Sequence, residues 1–219
     1  MLLLNNDEPK MRVTNEGKLT MPRWEVPRML IYETAISRRS IRRFKDIPVP
    51  EEVLRRCVNA ARLAPSAANL QPLEYIAIND DQLLPRVFST LKWAAYISPK
   101  GDPPEGKRPQ AYIVILKNSN IGMSLSVYDV GAAMENMILV ALEEGIGACP
   151  IASVDRGQLR RVLNIPGDYE IPLVLALGYP DERPVGQLFD GSVKYWKDEN
   201  YVLHVPKRRL ETVLRWNTF

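Results

Sequence analysis

The stretch SLSVYDVGAAMENMILVALEEGIGACP, residues 124–150, decides how this chain folds. Val127, Val130, Gly131, Met134, Met137, Ile138, Ala141 and Leu142 recur at helical spacing and make a broad apolar stripe. The pattern predicts a helix over Ser124–Glu144, closed by Gly145, which accepts the left-handed geometry of a helix end. A helix this apolar packs deep in a core or into a subunit interface. Directly after it, Ile146–Cys149 reads as a short strand.

Working outward, the same alternation repeats. Ala111–Leu116 is an uninterrupted apolar run of six and reads as a buried strand. Leu73–Asn79 and Ile171–Leu177 read as further strands, the latter central, and Arg156–Leu163 as a helix. In PVPEEVLRRCVNAARLAP, residues 48–65, Pro50 suits the first turn of a helix and Glu51 and Glu52 suit its positive end. Val53, Leu54, Cys57, Val58 and Ala61 then share one face, and the helix stops near Leu63–Ala64 because Pro65 disfavours helical geometry before it. Helical pieces are also expected over Leu30–Ser37 and near Leu83–Tyr96, and SPKGDPPEGKRP, residues 98–109, as an exposed loop. The tail returns with Val202–Pro206 and Leu210–Trp216. Residues 1–27 are polar and Pro-interrupted and read as an N-terminal arm to a domain over 28–219. Strands alternating with helices predict a layered α/β or α+β domain.

Composition narrows the classes. With 219 residues, 46% hydrophobic and 25% charged, the chain is of ordinary globular composition and large enough to need no metal or disulfide staple. A membrane span needs ~20 apolar residues, against runs of six here, so no membrane association is expected. MLLLNNDEPK has neither the basic start nor the apolar length of a signal peptide. A net charge of +3 is too mild to argue for nucleic acid. Cys57 and Cys149 form no CxxC pair, which points to a reduced, cytoplasmic protein. His204 is the single histidine, so no zinc site of the usual kind is available and no metal is expected. No GxSxG surrounds any serine.

Four clusters carry possible chemistry, each with a plainer alternative. Arg38-Arg39-Ser40-Ile41-Arg42-Arg43 is either a phosphate cradle, through guanidinium forks and a hydroxyl, or a solvated basic turn. Ala64-Pro65-Ser66-Ala67-Ala68-Asn69-Leu70-Gln71-Pro72 either lets a planar ligand approach its backbone or simply connects a helix to a strand. Gly145–Ala152 either presents backbone N–H groups to a ligand or allows close packing. Lys207-Arg208-Arg209 is a second basic group or a surface turn. His204 reads as a strand or loop residue near that tail, and Cys149 as a buried structural thiol.

The order and spacing of these blocks resemble the nitroreductase family of FMN-dependent oxidoreductases. The likeness rests on AISRRSIRRF, PVPEEVLRRCVNAARLAPSAANLQP, YDVGAAMENMILVALEEGIGACPI, LVLALGYP and VPKRRLE, across roughly residues 30–219. It implies an α+β fold with a central mixed sheet flanked by helices, built as an intertwined homodimer with FMN at the subunit interface. The helix over 124–144 then corresponds to the dimer core, and Leu210–Trp216 to a segment that crosses to the partner. The resemblance assigns the FMN phosphate to Arg38, Lys207 and Arg209, and further contacts to Arg39 and Ser40. Arg42 falls near the N1–O2 edge of the ring, where reduction places negative charge. Pro65, Ser66 and Asn69 match contacts from the second subunit, and Pro150, Ile151 and Ala152 the loop over the ring, with a backbone N–H towards N5.

Activity follows from the same resemblance: hydride from NADH or NADPH, passed by a ping-pong mechanism to a nitroaromatic, quinone or related small acceptor, with Arg42 and Ala152 nearest the chemistry. Trp93 and Tyr96 lie where the family shapes its substrate pocket, and serve either there or in the core. Two departures leave the acceptor open: Ala152-Ser153 stand where some members carry a glutamate, and Leu73-Glu74 where tryptophan is common. Reductive dehalogenation or a flavin-consuming reaction with oxygen on the same scaffold is the alternative, and a non-catalytic flavin- or nucleic-acid-binding module a third.

Overall fold

A computed structural model describes residues 12–13, 19–20, 28–99 and 101–219. The chain divides into two compact units, Met1–Ile36 and Ser37–Phe219. In the first, β1 (Arg12–Val13) pairs antiparallel with β2 (Leu19–Thr20), and helix α1 (Arg28–Ser37) begins. Apart from those two strands, the expected arm over 1–27 lies outside the described residues.

The second unit is organised by the apolar runs. Helix α2 (Glu51–Ala61) leads to β3 (Leu73–Ile78), helix α3 (Leu83–Phe88) and β4 (Ala111–Asn118). Helix α4 (Ser126–Glu143), β5 (Gly147–Ile151), helix α5 (Arg156–Leu163) and β6 (Tyr169–Gly178) follow. The sheet order is β3-β4-β6-β5, antiparallel at each of these pairings. Its mixed character enters at the β5 edge, where Ser40 forms a parallel bridge to Ala148.

β4 and β6 are central, and both faces are covered. Ile113 and Ile115 of β4 join Leu175 and Leu177 of β6 against Val53, Leu54 and Cys57 of α2 and Ala133, Met137 and Ala141 of α4. On the opposite face, Tyr112, Val114 and Leu116 pack with Val87 of α3 and Leu159 of α5. A strand flanked on both faces has no polar side to show, which is why Ala111–Leu116 does not alternate. Gly145, at φ +72°, ends the chain's longest helix as its sequence predicts.

The helix expected near Leu83–Tyr96 is corrected. α3 stops at Phe88, Leu91 bridges Val154, the Lys92 N–H donates to the Ser153 carbonyl at 2.9 Å, and a 3-10 turn covers Ala95–Ile97. Long-range pairing to the segment after β5 outcompetes local helix propensity. α4 also differs in what it buries: Val127 and Gly131 are exposed, while Ser126 and Asp129 lie inside. The chain closes with a second, mixed sheet. β7 (Val185–Leu188) runs parallel to β9 (Leu203–Lys207), β8 (Trp196–Lys197) runs antiparallel to it, and α6 (Leu210–Val213) follows.

Candidate active site

The arginine-rich segment is pegged into the β5 edge of the sheet. The Ile41 N–H donates to the Ala148 carbonyl at 3.0 Å, and that of Phe44 to Lys107 at 3.0 Å. Ile41 rests on Gly147, where an added Cβ would meet its Cγ1 at 2.7 Å. Phe44 rests on Gly178, where a Cβ would meet its Cδ1 at 2.8 Å. Close packing therefore explains both glycines.

Beside this segment opens a cavity of about 450 Å³. Arg42, Trp93, Cys149, Pro150, Ile151 and Ala152 line it with Lys92 and Ser153, and no acidic side chain does. The Arg42 guanidinium stands 5.1 Å over the Tyr195 ring and makes no ion pair among the described residues. It lies against the Cys149 thiol, which burial pushes up to about 11 while Arg42 pulls it down. Cys149 is thus the buried thiol its sequence suggests, and also part of the cavity wall. Trp93 is both core and lining: it is buried, stacks on Phe88 at 5.7 Å and reaches the cavity. Tyr96 does not line it; it is exposed and tilts against Tyr195 at 5.0 Å.

The wall over this cavity is fixed by a residue the sequence reading passed over. Arg156 donates from Nη2 to the Ala152 carbonyl at 3.1 Å, from Nη1 to Val154 at 3.3 Å and from Nε to Ile171 at 2.8 Å. Nη2 also donates to the Pro172 carbonyl at 3.2 Å, so one guanidinium satisfies four carbonyls, two just after β5 and two in the first residues of β6.

Arg38 and Arg39 line a different cavity, of about 620 Å³, with Ser37, Lys45, Glu182 and Arg183 among its walls. Arg38 pairs with Glu135 at 3.3 Å, so its charge is partly met within the chain. Arg39 lies over Gly186 of β7, where a Cβ would come within 2.4 Å of Nη2. Lys207 and Arg209 are exposed and line neither cavity. Ser40 is half-buried at its bridge.

Pro65 and Ser66 belong to a third, smaller cavity of about 150 Å³, which Asn69 does not line. Buried Asp129 of α4 latches this loop, accepting from Ser66 Oγ and from the Ala67 N–H, both at 2.9 Å. The latch holds Ala68, Asn69 and Gln71 at φ 51°, 53° and 51°, a left-handed region costly for side-chain-bearing residues. Burial, then Asp129, push the neighbouring Tyr75 up to about 12.

The model of the nitroreductase family matches residues 35–179. The chain belongs to the nitroreductase family. Its fold is nitroreductase-like, and its relatives mark it as an oxidoreductase. One, from Methanothermobacter thermautotrophicus, has a provisional name pairing NADH dehydrogenase with NAD(P)H nitroreductase; it is 30% identical over 197 residues, covering 86% of this chain and 94% of the relative. Iodotyrosine deiodinase of Thermotoga neapolitana is 26% identical over 204 residues, covering 87% and 99%. The solved FMN-dependent nitroreductase of Clostridium difficile R20291 superposes with a TM-score of 0.60 at 25% identity, covering 85% and 98%.

Within this nitroreductase-family chain, the sheet over 185–207 carries the single histidine. His204 of β9 stacks on Trp196 at 4.3 Å and bonds Gln187 through Nδ1 and Asp198 through Nε2, each at 3.1 Å. That hydrogen bond holds the Asp198 carboxyl below the usual carboxylate value. Both imidazole nitrogens are engaged, and His204 lines none of these three cavities. No described helix is long and apolar enough to cross a membrane.

Proposed function

We propose that this protein is an FMN-dependent oxidoreductase that takes hydride from NADH or NADPH and reduces a nitroaromatic, quinone or related acceptor in two half-reactions. The observation that carries the reading is Arg42: a cation without a carboxylate partner, at a cavity without acidic lining. An uncommitted cation in such a wall is costly unless a ligand answers it. That donor set fits FMN, a planar ring that gains negative charge on reduction, joined to a phosphate. FMN, when bound, supplies the hydride chemistry. The chain's own residues bind and orient. Arg42 offers fixed positive charge at the N1–O2 edge, and Pro150, Ile151 and Ala152 form the wall held by Arg156. Arg38, Arg39 and Ser40, with Lys207 and Arg209, would hold the phosphate and ribityl chain, and Pro65, Ser66 and Asn69 would come from a second copy. Trp93 and Tyr96 stand near the acceptor.

A homodimer is part of the reading. Val127 and Tyr128 of α4 and the tail residues Leu210, Val213, Trp216 and Phe219 are exposed apolar side chains. That much apolar surface favours burial against a second copy. The purified protein should be a yellow dimer with stoichiometric FMN, bleached anaerobically by NADH or NADPH and recoloured by a nitroaromatic or quinone. A colourless protein whose spectrum ignores added FMN would sink the proposal. A second reading, reductive dehalogenation, is favoured by the deiodinase relative, which aligns over almost its whole length. Halide release from an iodinated phenol, without turnover of nitroaromatics or quinones, would replace the first reading with the second.

A further inference from the structure

The proposed chemistry turns on Arg42, and a buried carboxylate holds that residue. Glu182 follows β6 in GYPDE, residues 178–182, and its side chain is only 7% exposed. Its Oε1 accepts the main-chain N–H of Arg42 at 2.5 Å. Its Oε2 faces Lys197 Nζ of β8 at 3.5 Å, within ion-pair reach but without a hydrogen bond, and the Lys197 side chain is 10% exposed. A carboxylate this deep beside an arginine would be expected to pair with the guanidinium, since buried charges are retained in pairs. Here it does not. Its two oxygens are taken by the arginine's backbone and by a different cation, while the guanidinium stays over Tyr195 and against Cys149.

We infer that Glu182 is a positioning residue: it fixes the main chain of Arg42 and absorbs the charge of Lys197, so that the Arg42 guanidinium remains uncommitted for the ligand. The inference rests on the FMN reading of the cavity. It has an unusual corollary. Lys197 lines neither the cavity beside Arg42 nor the one beside Arg38, yet removing its charge would free Glu182 to turn onto the Arg42 guanidinium and neutralise it. Loss of Lys197 should therefore weaken the ligand through Arg42 alone, whereas loss of Glu182 also takes a negative charge from the cavity that Arg38 and Arg39 line.

The test is a cycle of FMN titrations of the apoprotein. Glu182→Ala, Glu182→Gln and Lys197→Met are each measured alone and combined with Arg42→Ala. Glu182→Ala and Lys197→Met should each weaken FMN binding about tenfold, the effect of one charge-assisted hydrogen bond. In the Arg42→Ala background each should cost less than about twofold, because the interaction has no end left to act on. Glu182→Gln, which keeps an acceptor oxygen, should stay within about threefold of wild type. Equal losses in both backgrounds, or no loss with Arg42 present, overturn the inference. Should Glu182→Ala fail to fold, Lys197→Met carries the same test with Glu182 intact. Should wild type bind no FMN, the functional reading fails by itself, and the Arg42 amide decides the rest. Its hydrogen exchange in the apoprotein should be slow in wild type and in Glu182→Gln, and fast in Glu182→Ala. In that case, an Arg42 amide that already exchanges freely in wild type refutes the role assigned to Glu182.

Discussion

The β4–β6 pair and the segment after Pro184 use apolar residues in opposite ways. Ile113, Val114, Ile115, Leu175 and Leu177 are fully enclosed by helices of the same chain. Beyond β9, Leu210, Val213, Trp216 and Phe219 stand in the open, Trp216 at 78% exposure. The first region completes itself within one chain; the second has apolar surface that its own chain leaves uncovered. Folding of the core and assembly of the proposed dimer are therefore separable, and substitutions should separate them.

The largest effect belongs to the core. Leu175→Ala should cost about 2–5 kcal/mol of unfolding free energy, through lost burial and the cavity left behind. Urea denaturation of the monomeric or dimeric protein reads it, and a loss below ~1 kcal/mol would mean the core is less tightly packed than described. Arg42→Ala comes next and should leave the fold intact. Removing a charge-assisted contact of roughly 1.5–3 kcal/mol lowers FMN affinity by about 10–150-fold. For a partly screened charge interaction of roughly 1–3 kcal/mol, the two-electron midpoint potential of remaining bound flavin falls on the order of 20–65 mV. Spectroelectrochemical titration checks the sign; an unchanged potential would remove Arg42 from the chemistry. Arg38→Ala should have a smaller effect on FMN affinity, about 1 kcal/mol, because Glu135 already neutralises part of its charge.

A pH scan sharpens the same contrast. Burial pushes the Cys57 thiol from 9.0 up to about 12 and that of Cys149 from 9.0 up to about 11. Both are held protonated in the fold and ionise earlier once unfolded. Their contribution is whole below pH 9 and is lost as pH rises through about 11 and 12. Stability should fall over that window, and less steeply in Cys57→Ala once its cavity cost is subtracted. The smallest change in chain stability is expected for Trp216→Ala, within about 0.5 kcal/mol, measured where only monomer is present. Light scattering should nevertheless show a weakened dimer. An intact dimer would mean the tail is not the assembly surface.

What could be read from the sequence follows the same division. β4 and α5 were legible because an apolar run and an amphipathic period each reflect a local environment; α5 spans Arg156–Leu163 as expected. β7 and β8 left no such mark. They are short, β7 is largely exposed, and both exist through pairing with β9, as in Val185 with His204 and Trp196 with His204. In the site, the arginine segment and the Pro150–Ala152 wall were visible as clusters. Their supports were not: Asp129, Arg156 and Glu182 act on partners 63, 15 and 140 residues away, separations at which one sequence carries no pattern. Asp129 left a hint, a carboxylate inside an otherwise apolar helical face.

The pegs of Ile41 and Phe44 in their glycine sockets have one further consequence. The sockets lie on two different strands, β5 and β6, and the two residues between the pegs are Arg42 and Arg43. The segment therefore behaves as a ruler with both ends clamped. Substitutions between the clamps change chemistry without moving the backbone, but inserting or deleting one residue there would unseat a peg and rotate the arginines out of phase with the cavity. Variation in this stretch should be confined to the identity of residues, with its length held constant.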